Sequence, residues 1–205
     1  MRGRTIGLLS AGVLAVGMAL AAVTIIAENR QSGVQSRSTG VATVGGPFRL
    51  TGTEGQTVSE KDLLGKPSAV FFGFTYCPDV CPTTLFELTT LAEQLGPEAD
   101  KLNFVFVSVD SERDGPAEMK QYLEAFDDRI IGLTGTAEQI DAVAKAYKIY
   151  HAKVPLEGGD YTMDHTASVI LMDADGRFFG TMDYEEEASV MLAKLKRLIR
   201  EQVDG

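Results

Sequence analysis

The chain has 205 residues, of which 44% are hydrophobic and 23% are charged, and its formal net charge is −10. This apolar content supports one packed domain plus an extension, and the acidic balance argues against nucleic acid as a partner. The only cysteines are Cys77 and Cys81. A stapling disulfide normally closes a longer loop, so this pair is predicted to be reactive or metal-binding rather than structural.

The N-terminal segment, residues 1–27, predicts a transmembrane anchor. Arg2 and Arg4 precede residues 5–27, which carry no charge, and a helix of that length spans a bilayer. The arginines predict a cytoplasmic N-terminus, so we expect a single pass through the inner (cytoplasmic) membrane, with the rest of the chain on the periplasmic side. A cleaved signal peptide is the alternative, because Ala19-Leu20-Ala21 is a passable cleavage triplet.

A flexible linker is predicted between this anchor and the folded domain. Residues 28–46 are polar, contain several glycines and include no aromatic residue. The domain is therefore expected to cover residues 47–205. It opens with a predicted hairpin, in which Phe48–Leu50 and Gln56–Val58 flank turn-like residues.

The next segment predicts a strand, a helix and a second strand. Ser68–Phe74 is a continuous apolar run that is typical of a strand buried on both faces. Leucines then recur at helical spacing from Pro82 up to the stop signal Gly96-Pro97. Leu102–Val109 is a second buried strand, and this order of elements predicts that the two strands are parallel.

The C-terminal half predicts two helices and then a hairpin with a last helix. The expected elements are helices Pro116–Phe126 and Thr136–Tyr147, strands Ile131–Leu133, Ala167–Met172 and Arg177–Gly180, and a helix over residues 187–202 that buries Leu192, Leu195 and Ile199. Thr136 and Gln139 form a capping box, and Asp175-Gly176 has hairpin-turn chemistry. This layout predicts an α/β, thioredoxin-like (peroxiredoxin-like) sandwich with an N-terminal hairpin, preceded by one transmembrane helix.

The two cysteines lie in a turn between the first buried strand and its helix. This places Cys77 and Cys81 at the carboxyl end of a strand, where ligand sites form in open α/β sheets. A helix N-terminus lowers the pKa of a thiol, and a thiolate both attacks disulfides and binds soft metals. The turn therefore suits a soft-metal site or a redox dithiol, with an inert pair as the third reading. Three residues between the cysteines, and no Trp in the chain, depart from the usual redox turn.

His165 is the predicted third ligand. It lies in a loop just before the strand Ala167–Met172, and in a thioredoxin-like layout this loop faces the cysteine turn. Thioredoxins have a cis-proline there, whereas the nearest proline here is Pro155. Two thiolates and one imidazole suit Cu(I). His151 is predicted to be a surface residue.

Three further residues near the predicted site have weaker assignments. Asp79 and Asp164 could orient the ligands through hydrogen bonds, or they could be solvated loop carboxylates. Met163 could be an extra soft ligand, although ordinary packing is favoured.

Three segments of the chain resemble the signature segments of the Sco/SenC/PrrC family of copper chaperones. They are FFGFTYCPDVCPTT (residues 71–84), VSVDSERDGP (residues 107–116) and YTMDHTASVILMDADG (residues 161–176). The resemblance implies a membrane-anchored thioredoxin fold that binds one copper ion, Cu(I) or Cu(II), through Cys77, Cys81 and His165. It also implies a role in assembling the binuclear copper centre of cytochrome c oxidase subunit II. Tyr76 and Thr166 stand where the family often has His and Ser, and neither change removes a ligand.

The sequence leaves two classes of function open. The first is a metallochaperone, a binding protein whose partner is cytochrome c oxidase subunit II or a similar copper acceptor, together with a thiol reductant or another copper chaperone. The second is an enzyme, a thiol-disulfide oxidoreductase in which Cys77 and Cys81 are a redox-active pair and His165 is dispensable. A membrane-tethered redox or copper sensor is a further alternative.

Overall fold

The computed structural model describes residues 43–201, which contain nine strands and five α-helices. The strands are β1 (Arg49–Gly52), β2 (Thr57–Ser59), β3 (Ser68–Gly73), β4 (Asn103–Ser108), β5 (Ile130–Thr134), β6 (His151–Pro155), β7 (Tyr161–His165), β8 (Val169–Met172) and β9 (Phe178–Met182). The helices are α1 (Glu60–Leu63), α2 (Val80–Leu95), α3 (Pro116–Leu123), α4 (Ala137–Tyr147) and α5 (Ala188–Glu201).

Seven strands form one mixed sheet in the order β2-β1-β5-β4-β3-β8-β9. The central strands β5, β4 and β3 run parallel, and β8 joins β3 antiparallel. Every residue of β3 is buried, so the sheet is covered on both faces at this strand. The parallel β3-α2-β4 unit and the β8-β9-α5 unit confirm the predicted thioredoxin-like α/β layout.

Helix α2 begins earlier than the prediction, at Val80 instead of after Pro82. The reason is that proline is tolerated in the first turn of a helix, where its missing N–H would have no intrahelical acceptor. Cys81 therefore lies inside the first turn. The helix ends at Leu95 as predicted, and Gly96 adopts φ +57°, a conformation that suits a residue without a side chain.

Strands β6 and β7 form a separate two-stranded sheet that the sequence did not predict. They pair antiparallel, with His151 opposite His165 and Pro155 opposite Tyr161. His165 is thus the last residue of a strand, and the prediction of a loop was wrong. A proline and the glycines of the connecting turn, Gly158 and Gly159, obscure the strand pattern in this segment.

The C-terminal half matches the prediction in its elements and differs in detail. The capping box of Thr136 and Gln139 is confirmed at the start of α4. Helix α5 buries Leu195 and Ile199 as predicted, whereas Leu192 is only half-buried. Its remaining buried side chains are Met191 and Leu198, so the buried face is rotated slightly from the predicted one.

The domain makes ordered contacts before Pro47. Val44 packs against the core, and the N–H of Gly45 donates a hydrogen bond of 3.0 Å to the carbonyl of Ala146. Between residues 43 and 201, no helix has both the length and the apolar content needed to cross a membrane. The predicted anchor over residues 5–27 and most of the predicted linker lie outside the described residues.

Candidate metal centre

The cysteine turn is built against the end of β3. Cys81 is fully buried, and Cys77 is partly exposed. Both are free thiols, and the backbone N–H of Cys81 points at Cys77 Sγ at 3.3 Å. The first turn of α2 therefore supplies an N–H donor to the outer sulfur, as predicted for a helix N-terminus.

Gly73 makes room for the buried sulfur. A Cβ at this position would lie 2.8 Å from Cys81 Sγ and 2.8 Å from the ring of Phe106. Both distances are shorter than ordinary van der Waals contact, so a side chain would displace the sulfur or the ring. The sequence analysis missed this residue, although a glycine inside a buried strand is a signal of close approach.

The two thiols have opposite pKa shifts. The pKa of Cys77 is lowered to about 4, chiefly by a hydrogen bond from the Cys81 thiol. Hydrogen bonds from His165 and from backbone N–H groups at the start of the helix also lower this pKa, whereas burial raises it. The pKa of Cys81 is raised, first by that same hydrogen bond and then by burial. Cys77 is therefore the thiolate, and Cys81 is the protonated partner.

His165 reaches the sulfurs from strand β7. Its Nε2 lies 3.3 Å from Cys81 Sγ, and its Nδ1 lies 3.0 Å from the carbonyl oxygen of Thr166. A carbonyl oxygen only accepts hydrogen bonds, so Nδ1 carries a proton, and Nε2 is the ring nitrogen that faces the cysteines. The rings of Phe71 and Phe74 meet the imidazole edge-on, with centroids at 6.1 and 5.8 Å.

The donor set fits one copper ion. Among the described residues, Cys77, Cys81 and His165 form the only group of three potential ligands from His, Cys, Asp and Glu, with ligand atoms within 4.8 Å of one another. Metal bonds as long as those at zinc sites, about 2.3 Å to sulfur and about 2.0 Å to nitrogen, would separate three trigonal donors by roughly 3.8 Å. Small side-chain shifts therefore bring all three to one ion, and two sulfurs with one imidazole suit copper.

An open cavity of about 200 Å³ leads to Cys77 and His165. Met163 contributes to its wall and also packs against the core, which agrees with the favoured packing reading. Asp79 and Asp164 contribute exposed carboxylates to the rim. Because His165 donates its Nδ1 proton to a backbone carbonyl, neither carboxylate is needed to orient the ring.

His151 is not a simple surface residue. Its side chain is only 19% exposed, and its Nε2 lies 3.2 Å from a carboxylate oxygen of Asp141. It stands opposite His165 in the hairpin but does not belong to the three-ligand group. It is therefore only partly at the surface, and its exclusion from the ligand set agrees with the geometry.

A buried carboxylate that sequence reasoning did not assign supports the cysteine turn. Asp114 is fully buried. It accepts hydrogen bonds from the N–H and Oγ1 of Thr75, two residues before Cys77, and from the hydroxyl of Ser108. Burial raises its pKa against these hydrogen bonds. The available signal was its place in the loop that follows a buried strand.

Comparison with known proteins places the chain in a family. A family model described as SCO1/SenC matches residues 36–200. This chain belongs to the SCO1/SenC family. The human mitochondrial SCO1 homolog is 36% identical over 174 residues, which cover 82% of this chain and 58% of the human protein. The chain thus spans little more than half the length of that relative.

Two solved SCO1/SenC structures share the fold. ScoI of Bradyrhizobium japonicum, solved with copper bound, is 50% identical, with a TM-score of 0.71 over 76% of this chain and 99% of that chain. BsSco is 26% identical, with a TM-score of 0.62 over 77% of this chain and 95% of that chain. BsSco is described as having a disulfide switch and as a member of the Sco family of cytochrome c oxidase assembly proteins.

Proposed function

We propose that this SCO1/SenC protein is a metallochaperone that holds one copper ion between Cys77, Cys81 and His165. In this proposal it delivers the ion to a copper-acceptor protein during cytochrome c oxidase assembly. The observation that carries the proposal is the convergence of two sulfurs and one imidazole nitrogen within 4.8 Å. The copper bound to the 50% identical ScoI supports the choice of metal.

The arrangement suits delivery better than permanent storage. Three protein ligands leave the coordination of the ion open to an incoming donor. Cys77 is partly exposed and opens into the cavity, while Cys81 is fully buried. An acceptor can therefore approach from the Cys77 side. Binding also requires Cys81 to lose its proton, so copper uptake releases a proton.

The proposal also names a partner and a location for this chain. We propose that the acceptor is the binuclear copper site of cytochrome c oxidase subunit II or a similar site, supported by the family description given for BsSco. Residues 5–27 would anchor the chain in the cytoplasmic membrane, with the copper domain on the periplasmic side. Cell fractionation and protease accessibility of residues 43–201 test this topology.

Copper titration of paired histidine variants tests the site. The reduced full-length chain, purified in mild detergent, is titrated with Cu(I) against a chromophoric chelator. We expect one tightly held equivalent, and His165→Ala should weaken it by roughly 100-fold or more, since even the hydrogen-bond partners of metal ligands are typically worth 10–100-fold. His151→Ala is the matched control from the opposite strand and should leave the affinity unchanged. Equal affinities for wild type and His165→Ala would reject the assigned ligand.

A thiol-disulfide oxidoreductase is the second candidate, because Cys77 is a thiolate and Cys81 a protonated neighbour. Cys77 would attack a target disulfide and release one target thiolate. Cys81 would then break the mixed disulfide, which leaves a Cys77–Cys81 disulfide and releases the second target thiol. A thiol reductant would restore the pair. Exchange that survives His165→Ala in a chain that retains no copper would favour this function.

A further inference from the structure

The segment Val109–Gly115, called here the β4–α3 loop, carries an arginine that the copper site does not use directly. Arg113 follows the carboxyl end of β4, beside the cysteine turn, and its side chain is only 17% exposed. The Nε of Arg113 pairs with Asp110 Oδ2 at 2.5 Å, and Asp110 itself is buried. A guanidinium in such a place needs an explanation, because burying this charge carries a desolvation cost.

Arg113 contacts both segments that carry the proposed ligands. Its Nη1 donates a hydrogen bond of 2.9 Å to the backbone carbonyl of Tyr161 at the start of β7, the strand that ends at His165. Its guanidinium carbon lies 3.7 Å from the ring centroid of Tyr161 and 4.7 Å from that of Tyr76, the residue before Cys77. One side chain thus joins the hairpin to the cysteine turn.

Two further contacts strengthen this connection between the hairpin and the cysteine turn. The hydroxyl of Tyr161 donates a hydrogen bond of 2.8 Å to the other carboxylate oxygen of Asp110. The guanidinium also lies 5.9 Å from the ring centroid of Phe74, which packs edge-on against the His165 imidazole. Arg113, Asp110 and Tyr161 therefore form a closed triangle of contacts next to the ring of the third ligand.

The hairpin depends on such contacts because, within residues 43–201, its two strands pair only with each other. No described strand of the seven-stranded sheet pairs with β7, so side-chain contacts hold it in place. Met163 packs against the core and His151 pairs with Asp141, and the β4–α3 loop supplies the contacts at the start of β7. The arrangement is not optimised for ion pairing, since no described residue offers a hydrogen-bond partner to the buried Nη2 of Arg113. An unpaired buried donor opposes stability, which favours a geometric role over a purely stabilising one.

We infer that Arg113 is a positioning residue for copper binding, which holds the β6–β7 hairpin at the place where His165 Nε2 reaches the two cysteines. This inference rests on the proposed copper site. Removing the guanidinium should leave both thiols in place and should allow the imidazole to withdraw. The loss of affinity should therefore be smaller than that of His165→Ala and should depend on the presence of His165.

The test compares Arg113→Met, Arg113→Lys and the control Arg129→Met in the reduced full-length chain. Arg129 also pairs with carboxylates, those of Asp127 and Asp100, but it precedes β5, at the end of the parallel strands away from the cysteine turn. Cu(I) affinity is measured against a chelator. Nitrogen coupling in the electron paramagnetic resonance spectrum of the Cu(II) form reports imidazole ligation separately from affinity.

We expect Arg113→Met to weaken Cu(I) binding by about 10-fold, within the range typical of residues that orient a ligand, and to reduce the nitrogen coupling. In the His165→Ala background the same substitution should change nothing further, and Arg129→Met should behave as wild type. Arg113→Lys should show a smaller loss with the same dependence on His165, since lysine keeps the charge without the planar fork.

The outcomes separate the inference from the proposed function. Wild-type affinity and full nitrogen coupling in Arg113→Met overturn the inference, as does an equal loss of affinity with and without His165. If Arg113→Met does not fold, Arg113→Lys with wild-type affinity overturns it, because lysine lacks the planar fork that reaches Asp110 through Nε and the Tyr161 carbonyl through Nη1. If His165→Ala itself binds copper normally, the proposed site fails first.

Discussion

The cysteine turn and the β6–β7 hairpin hold the same candidate site by different physical means. The turn follows β3, a strand buried along its whole length, and Cys81 packs into the core between β3 and α2. The hairpin is a separate sheet, with Lys153–Pro155 exposed on its outer strand. Core packing therefore fixes the two cysteines, while the third proposed ligand depends on polar and aromatic contacts, among them those of the β4–α3 loop with its strand.

The comparison indicates how a site can bind and then release an ion. Displacing a buried sulfur costs free energy, because its close-packed neighbours must move with it. A histidine at the end of a separate two-stranded hairpin can be displaced with the loss of fewer packing contacts. We therefore expect the cysteine side to resist change in position, and the histidine side to respond to substitutions in the loop that holds it.

The largest expected effect concerns the reactivity of the turn. With the pKa of Cys77 lowered to about 4, its alkylation rate in the apo protein should be nearly constant between about pH 6 and 8. A thiol with an ordinary pKa of about 8.5 would react roughly 100-fold faster at the upper value. Iodoacetamide labelling followed by peptide mass spectrometry measures the rate at Cys77 alone.

The matched variant for this measurement is Cys81→Ala. It removes the hydrogen bond that is the largest cause of the low pKa, so the rate at Cys77 should regain much of its dependence on pH. A wild-type profile that rises steeply through pH 8 would show that the thiol pair lacks this asymmetry.

The next effect tests how tightly the turn is packed. Gly73→Ala should lower the free energy of unfolding by about 1–3 kcal/mol, the usual cost of overpacking a core, because its Cβ would meet Cys81 Sγ and Phe106. Copper affinity should fall with it. Denaturant unfolding of the apo protein measures the change.

Gly180→Ala provides the control for Gly73→Ala. Gly180 also lies in a strand of the main sheet, and a Cβ there would meet no atom of the described residues within 4 Å. This substitution should leave stability within about 1 kcal/mol of wild type. Equal changes in the free energy of unfolding at both positions would mean that the residues around Cys81 can rearrange to admit a methyl group. The contrast between turn and hairpin would then weaken.

The same contrast explains what the sequence could predict. The cysteines and His165 could be brought together from sequence because a buried strand and helix bracket the turn, and because sites form at the carboxyl ends of parallel strands. The hairpin could not be predicted, since its strands are short and none of their residues is fully buried, so neither strand shows an alternating apolar pattern. Arg113 could not be assigned because its hydrogen bond to the hairpin goes to a backbone carbonyl 48 residues away, and backbone groups leave no signal in a sequence.

The smallest expected effect separates specific from general support of the hairpin. Lys153 on β6 also contacts the β4–α3 loop, through an ion pair of 2.6 Å with Glu112, but the two side chains are 44% and 66% exposed. Exposed pairs contribute little because water and salt screen them. Glu112→Gln should therefore change the free energy of unfolding by less than about 0.5 kcal/mol and the Cu(I) affinity by less than about twofold. Both variants are measured side by side. A comparable loss of Cu(I) affinity in Glu112→Gln and Arg113→Met would show that diffuse charge holds the hairpin. A loss confined to Arg113→Met would show that the buried guanidinium does so.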